Sequence, residues 1–189
     1  MKVSKTRTLL TVGSVIIGAL LIYVFSATAK KKGINRIIFV GGLDNRAGDK
    51  NLQEQVSLVE KGLDKKIPVQ AFRYNQGVKA LNSLAQDEKS YVILFSAGCH
   101  YAAEIATKMK QMKGDLSNIF IVEPYHSGGS TTKSVKKAVE LGVPSKNVFV
   151  GKTWATGFGI VSGTSSTPKC SPAHWCSLTE VSKIITKKL

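Results

Sequence analysis

Short, uninterrupted runs of apolar residues recur along the chain from residue 36 onward, and small or polar residues close each of them. A strand that is buried on both faces is apolar at every position, so such runs are typical of parallel strands inside an α/β sheet. The clearest run is 91–95, with the sequence Tyr-Val-Ile-Leu-Phe. The pattern predicts five strands, at 37–40, 68–72, 91–95, 118–122 and 147–151.

Between these runs, apolar residues recur at spacings of three and four, the period of a helix with one buried face. Besides a first helix in the region that follows the first strand, helices are predicted at about 77–85, 98–112 and 135–141, and from about residue 178 onward. Strands that alternate with amphipathic helices predict an α/β fold with a five-stranded, mostly parallel sheet and helices on both of its faces. The first helical stripe consists of Leu52, Val56, Val59 and Leu63.

A different pattern precedes the first strand, because 22 consecutive uncharged residues, 8–29, lie between basic residues. At about 1.5 Å per residue a helix of this length reaches roughly 33 Å, enough to cross a bilayer. The favoured interpretation is an uncleaved transmembrane anchor, which divides the chain into an anchor with basic flanks, 1–33, and a globular domain, 34–189. A cleaved signal peptide is the first alternative, because Ala27-Thr28-Ala29 is a small-x-small site. A buried core helix is the second.

The charge distribution supports a membrane partner. The chain has 27 Lys and Arg against 12 Asp and Glu, a formal net charge of +15. Seven of the basic residues and none of the acidic ones lie within 1–43, as expected for flanks that attract anionic lipid headgroups. Basic residues elsewhere are not interleaved with aromatic ones, so we expect no nucleic-acid partner. Both flanks are basic, so the charges do not set the orientation of this single-pass anchor. The sequence is therefore compatible with an extracytoplasmic location of the globular domain.

Neither a metal nor a cofactor is expected. Three cysteines are too few for a disulfide scaffold and lack the paired spacing of a zinc site. Gly41 and Gly42, after the first strand, would suit a phosphate-binding turn. However, no Gly-Lys-Ser or Gly-Lys-Thr follows them, no full Gly-x-Gly-x-x-Gly is present, and Tyr74-Asn75 stand where a nucleotide site needs an acidic residue.

The residues that follow the third predicted strand carry the strongest chemical signal. Ser96 stands between this strand and a helix, and Gly98 follows two residues later. Small neighbours allow a tight turn in which the serine adopts a strained backbone that lifts its Oγ from the sheet. The start of the helix supplies a positive end and free backbone N–H groups for an oxyanion. The alternative is that Ser96 caps the helix.

The window Leu94-Phe95-Ser96-Ala97-Gly98 resembles the Gly-x-Ser-x-Gly nucleophile elbow of the α/β-hydrolase family, with Leu94 in the place of the first glycine. The resemblance implies a small, lidless, cutinase-like or esterase-like hydrolase with Ser96 as the nucleophile. It also implies that the backbone N–H groups of Ala97 and Gly42 hold the oxyanion, because the loop after the first strand, where Gly42 lies, looks like the one that donates the second N–H in that family.

The family order places the histidine last, between the final strand and the final helix, which is the position of His174. The resemblance therefore implies His174 as the base, with His126 after the fourth strand as the alternative, and His100 is interpreted as structural. The implied acid is Glu123, directly after the fourth strand, where some family members carry it. Without Glu123 the site would be a Ser-His dyad or would have no catalytic chemistry.

Cys170 and Cys176 bracket His174 with five residues between them. A disulfide here would close a short loop around the histidine, and it requires an oxidising compartment. Cutinase-like hydrolases are similar in having a disulfide near the catalytic histidine. Cys99 would then remain a lone thiol packed against the sheet, although its position also allows a cysteine nucleophile.

Two functions follow as hypotheses. The first is a membrane-anchored serine hydrolase that acts on an ester or thioester, for example a lipid ester. The second is a non-enzymatic, membrane-anchored structural or interaction protein, such as an envelope or virion component with protein partners. An enzyme requires the Oγ of Ser96 near an imidazole, whereas a structural module requires only a packed sheet.

Overall fold

The computed structural model describes residues 36–42, 49–63, 67–84, 89–124, 129–150, 165–166 and 173–188. For residues 49, 50, 165, 166 and 173–176 it describes the backbone alone. All of these residues belong to one unit of the chain, Asn35–Leu189.

The described residues form strands and helices in alternation. Four short 3₁₀ helices, Tyr74–Gln76, Ser96–Tyr101, Leu116–Asn118 and Ser145–Asn147, precede an α-helix or a strand. The strands are β1 (Arg36–Val40), β2 (Val69–Phe72), β3 (Ser90–Phe95), β4 (Ile119–Val122), β5 (Val148–Val150) and β6 (Ser165–Ser166). The α-helices are α1 (Asp49–Lys61), α2 (Gly77–Ser83), α3 (Ala102–Gln111), α4 (Ser130–Leu141) and α5 (Ala173–Thr186).

The strands form one sheet in the order β2-β1-β3-β4-β5-β6, and every neighbouring pair is parallel. The prediction of a parallel α/β sheet is therefore confirmed for its five strands. A sixth strand, the two-residue β6, extends the sheet beyond β5. Apolar runs do not predict β6, because both of its residues are serine.

Helices cover both faces of the sheet, as predicted. Successive side chains of a strand point to opposite faces, so Ile38 and Val40 pack in the core beneath α2, α3 and α4, whereas Ile37 and Phe39 pack in the core beneath α1 and α5. The larger buried side chains of the second core include Tyr91, Ile93, Phe95, Phe120, Leu178 and Ile185.

Helices α1 and α5 lie side by side on the same face. The hydroxyl of Thr179 donates to the carbonyl of Leu58 at 3.0 Å, and that of Thr186 donates to the carbonyl of Gly62 at 3.4 Å. A side chain at position 62 would overlap the carbonyl oxygen of Thr179. Glycine at this position therefore allows the close contact between the two helices.

Three predicted boundaries differ from the structure. The helix predicted at 98–112 begins as the 3₁₀ helix at Ser96 and becomes α-helical at Ala102. The last helix begins at Ala173 rather than near residue 178. β2 begins at Val69, because Pro68 has no N–H to donate and contributes only its carbonyl, which accepts from Ile37 at 2.9 Å.

No helix within the described ranges is long and apolar enough to cross a membrane. The predicted anchor at 8–29 and its flanks within 1–33 lie outside these ranges. The anchor therefore stays a prediction from the sequence.

Candidate functional site

The carboxyl ends of β1 and β3 form the point where the direction of the chain crossovers reverses. From β1 the chain continues to α1 on one face, and from β3 it continues to α3 on the other. In open parallel sheets a crevice at such a point is the usual ligand site. The strand register pairs Val40 with Leu94 and Phe95 with Val122. The residues just beyond, Gly42, Ser96 and Glu123, therefore form a row along this edge.

Ser96 has the strained backbone that the elbow pattern predicts. Its φ is 52°, in the left-handed region that side chains with a Cβ rarely occupy. The conformation costs about 1–2 kcal/mol, and it turns the chain directly from β3 into the 3₁₀ helix. The side chain is 5% exposed. Ser96 is thus held at the strand end by a conformation that the surrounding packing must maintain.

Two glycines bring the end of β1 against Ser96. A Cβ at Gly42 would lie 2.9 Å from the Cβ and 3.3 Å from the Oγ of Ser96. A Cβ at Gly98 would overlap the carbonyl oxygen of Val40 and lie 2.8 Å from that of Gly41. Both positions therefore require glycine for this close approach. By contrast Leu94, which stands where the family has its first glycine, is fully buried in the core beneath α3.

The N–H of Gly42 has an acceptor that the sequence analysis did not identify. It donates to the side-chain oxygen of Gln55 at 3.2 Å, and Gln55 is 2% exposed on α1. The neighbouring N–H of Gly41 donates to the carbonyl of Phe72 at 2.9 Å. Gln55 follows Leu52 by three residues, so a polar side chain inside the predicted apolar stripe was the available signal.

Ala97, the other predicted oxyanion donor, is the second residue of the 3₁₀ helix Ser96–Tyr101 and is 7% exposed. The first N–H groups of a helix have no acceptor within that helix. They also form its positive end, which stabilises a nearby anion. The N–H of Ala97, next to Ser96 at the start of this helix, is therefore a group of the kind that can bind an oxyanion.

Glu123 is the second strand-end residue with a strained backbone. Its φ is 47°, it is 1% exposed, and its N–H donates to the carbonyl of Phe149 at 2.8 Å. In register it stands beside Ser96, one strand away, which for neighbouring strands is about 5 Å between backbones. The structure thus brings the predicted nucleophile and the predicted acid to adjacent positions.

Cys99 lies beneath this row and is completely buried. Its thiol donates to the carbonyl of Leu94 at 3.2 Å. Burial raises the pKa of Cys99 far above its usual range, and the nearby charge of Glu123 raises it further. Because Cys99 is fully buried in the core, it lies packed against the sheet as a lone thiol, and its burial disfavours the alternative of a cysteine nucleophile.

The backbone of His174 lies at the same edge of the sheet as Ser96. His174 is the second residue of α5, rather than part of a loop before the helix. Just beyond the other end of α5, the Nζ of Lys188 donates at 2.9 Å to the carbonyl of Ser117, which lies two residues before β4. The helix therefore runs from the carboxyl edge of the sheet, where His174 lies, to the amino edge.

Several predicted site features lie outside the described residues. These are His126, the side chain of His174, and the proposed disulfide between Cys170 and Cys176. His100 is exposed on the 3₁₀ helix, and its ring packs edge to face against Tyr101 with 5.4 Å between the centroids. Within the described part of the chain, no group of histidine, cysteine and carboxylate side chains could hold a metal ion.

No protein-family model, curated protein or solved structure matches the chain. The fold is a parallel α/β sheet with Gly42, Ser96, Ala97 and Glu123 gathered at its carboxyl edge. Acyl transfer by a serine needs a hydroxyl, a carboxylate and backbone N–H groups such as those at a helix start, and this arrangement contains all three. It also needs an imidazole near the hydroxyl.

Proposed function

We propose that the protein is a serine hydrolase on an α/β-hydrolase-like scaffold, held at a membrane by residues 8–29. The observation that carries the proposal is the left-handed backbone of Ser96, φ 52°, at the junction of β3 with the following helix. A serine that only capped a helix would have an ordinary extended backbone. Strain of 1–3 kcal/mol is typically kept at positions where the geometry serves a ligand or a reaction.

In the proposed reaction, the Oγ of Ser96 attacks an ester or thioester carbonyl while His174 takes its proton. The tetrahedral oxyanion accepts hydrogen bonds from the backbone N–H groups of Ala97 and Gly42. Collapse of this intermediate breaks the bond to the leaving group, which takes the proton from the imidazole. Water then attacks the acyl-serine by the same route and releases the acid. Glu123 orients the imidazole and stabilises its cation.

The surroundings of Ser96 support this assignment. Gly42, two residues beyond β1, approaches its side chain so closely that a Cβ would lie 3.3 Å from the Oγ, so the backbone of Gly42 lies near the reacting atom. Glu123 stands one strand away. The proposed anchor would keep the site near a bilayer, so a lipid ester is the substrate class that fits best.

The test is covalent labelling of the full chain, purified in a mild detergent, with a fluorophosphonate probe that is detected by intact mass. We expect one adduct, which disappears in the Ser96→Ala variant. Ser90→Ala is the matched control, because Ser90 is equally buried at 5% exposure and lies at the amino end of β3, the strand that Ser96 follows. The control should label like the parent chain.

A second candidate is a non-enzymatic, membrane-anchored structural or interaction protein. One observation favours it, since the N–H of Gly42 already donates to Gln55, so that this donor is occupied. Absence of any adduct on a chain that is folded by circular dichroism would support this candidate and refute the hydrolase.

A further inference from the structure

A buried amide lies behind the proposed oxyanion donor. Gln55 belongs to the face of α1 that packs on the sheet, where Val59 is fully buried, yet it is polar and only 2% exposed. Its Oε1 accepts the N–H of Gly42 at 3.2 Å, and a Cβ at Gly41 would lie 2.7 Å from the same oxygen. The Gln55 oxygen therefore sits directly against the backbone of both glycines.

The position of this N–H explains why an acceptor is needed there. Gly41 closes the ladder between β1 and β2 by donating to Phe72, and Gly42 is the next residue along the edge. A buried N–H without an acceptor costs about 1–3 kcal/mol. A glutamine on the packing face of α1 supplies the acceptor at the cost of burying an amide.

We propose that Gln55 is a positioning residue that holds the N–H of Gly42 in the substrate-free protein and releases it to the oxyanion during the reaction. This inference rests on the proposed hydrolase function. The neutral amide oxygen of Gln55 is a weaker acceptor than a charged oxygen. The N–H therefore changes partner when negative charge develops on the substrate, and the bond to the oxyanion stabilises the transition state selectively.

This role predicts opposite effects on stability and on reactivity. In Gln55→Met, a side chain of similar size without an amide oxygen leaves the N–H of Gly42 without its resting acceptor. The folded protein is then less stable, by about 3 °C in the melting temperature. The bond that must break during reaction is already absent, so the limiting rate of fluorophosphonate labelling rises about tenfold.

Gln55→Glu tests the same role by strengthening the acceptor instead of removing it. A carboxylate accepts the N–H of Gly42 more strongly and places negative charge where the oxyanion forms. The limiting labelling rate should fall at least tenfold, while the probe concentration at half-maximal rate changes less than twofold. A role in packing alone would not produce opposite changes in the rate from two substitutions at one position.

Each experiment uses the full chain in detergent, and amide hydrogen exchange followed by mass spectrometry reports directly on Gly42. We expect slow exchange at Gly42 in the parent chain and faster exchange in Gln55→Met. Val59→Ala is the control, because it removes buried apolar contacts from the same helix without touching Gly42. It should lower stability and leave the limiting rate unchanged.

The outcomes separate this inference from the proposed function. If the parent chain labels at Ser96 but Gln55→Met labels no faster, the role of Gln55 is refuted and the hydrolase stands. Equal exchange at Gly42 in both chains would also refute the role. If the parent chain is not labelled at all, the hydrolase and the role of Gln55 fall together.

Discussion

The two ends of the sheet use buried polar groups in different ways. At the amino edge the side-chain N–H₂ of Asn147 donates to the carbonyls of Ser117 and Ile119 at 2.8 and 3.1 Å. At the carboxyl edge Ser96 and Glu123 are equally buried, but both have positive φ. The third non-glycine residue with positive φ in the described ranges, Lys113, follows the end of α3, where this conformation is common.

The buried polar groups at the two edges are therefore expected to contribute to different properties of the protein. Polar side chains at the amino edge complete the hydrogen bonding of the backbone, so their loss should reduce stability alone. At the carboxyl edge the chain retains strained backbone and buried polar side chains, which reduce stability and persist at functional sites. Substitutions at the two edges should therefore change different measured quantities.

The largest effect is expected for Glu123→Gln. The amide keeps the shape but cannot stabilise the imidazolium, so the rate of fluorophosphonate labelling at Ser96 should fall about 1,000-fold. Stability in urea should stay the same or rise, because a neutral amide costs less to bury than a carboxylate. Glu140→Gln is the control, since Glu140 is exposed and pairs on the surface with Lys137 at 3.3 Å. An unchanged labelling rate for Glu123→Gln would exclude this carboxylate from the site.

A smaller effect, on stability rather than on the labelling rate, is expected for Asn147→Ala. The substitution removes two hydrogen bonds and leaves the buried carbonyl of Ile119 without this donor. The free energy of unfolding should fall by about 2 kcal/mol, measured by urea titration, while the folded protein labels at the parent rate. Asn82→Ala, on the exposed side of α2, serves as the control with little change in either quantity. A slower labelling rate in Asn147→Ala would mean that the edges are coupled.

The smallest effect is expected for Asp115→Asn, and it depends on pH. The carboxylate of Asp115 accepts the backbone N–H of Ser117 at 2.8 Å, and this bond lowers the pKa of Asp115 in the folded protein. A lowered folded-state pKa contributes stability above the unfolded pKa of about 3.9, and the contribution is lost as the pH falls through the folded value.

Asparagine keeps the cap without the charge, so the variant should lose about 0.5 kcal/mol at pH 7. Urea titrations of both chains at pH 7 and at pH 2 would measure the difference. It should shrink towards zero in acid. A deficit that persists at pH 2 would show that the charge of Asp115 is not its source.

Much of the fold follows from local patterns in the sequence. β3 and β4 are continuous apolar runs because both faces of these strands are covered, and the sequence predicts them within about one residue. β6 could not be predicted, because both of its residues are serine and no apolar run marks them, although they pair with β5. The start of α5 at Ala173 was missed because its apolar positions begin to repeat only near Leu178.

The site was predictable only in part. The small residues around Ser96 predict its strained turn, since Gly98 must pass close to the end of β1. The neighbourhood of Ser96 and Glu123 depends on β4 pairing with β3, and strand order is not encoded in any local pattern. The contact of Gln55 could not be predicted either. A single polar residue in an apolar stripe does not reveal its hydrogen-bond partner, which in the structure is the N–H of Gly42.

The contact between α1 and α5 has a consequence for synthesis of the protein. Thr179 is translated 121 residues after its hydrogen-bond partner Leu58, which takes about 6 to 24 s at typical rates of chain elongation. Until α5 leaves the ribosome, the apolar side chains of β1, β3 and β4 that it covers remain partly open to water. During that interval this face of the sheet is exposed to aggregation and to binding by a molecular chaperone, and rapid translation of the last helix should improve the yield of folded chain.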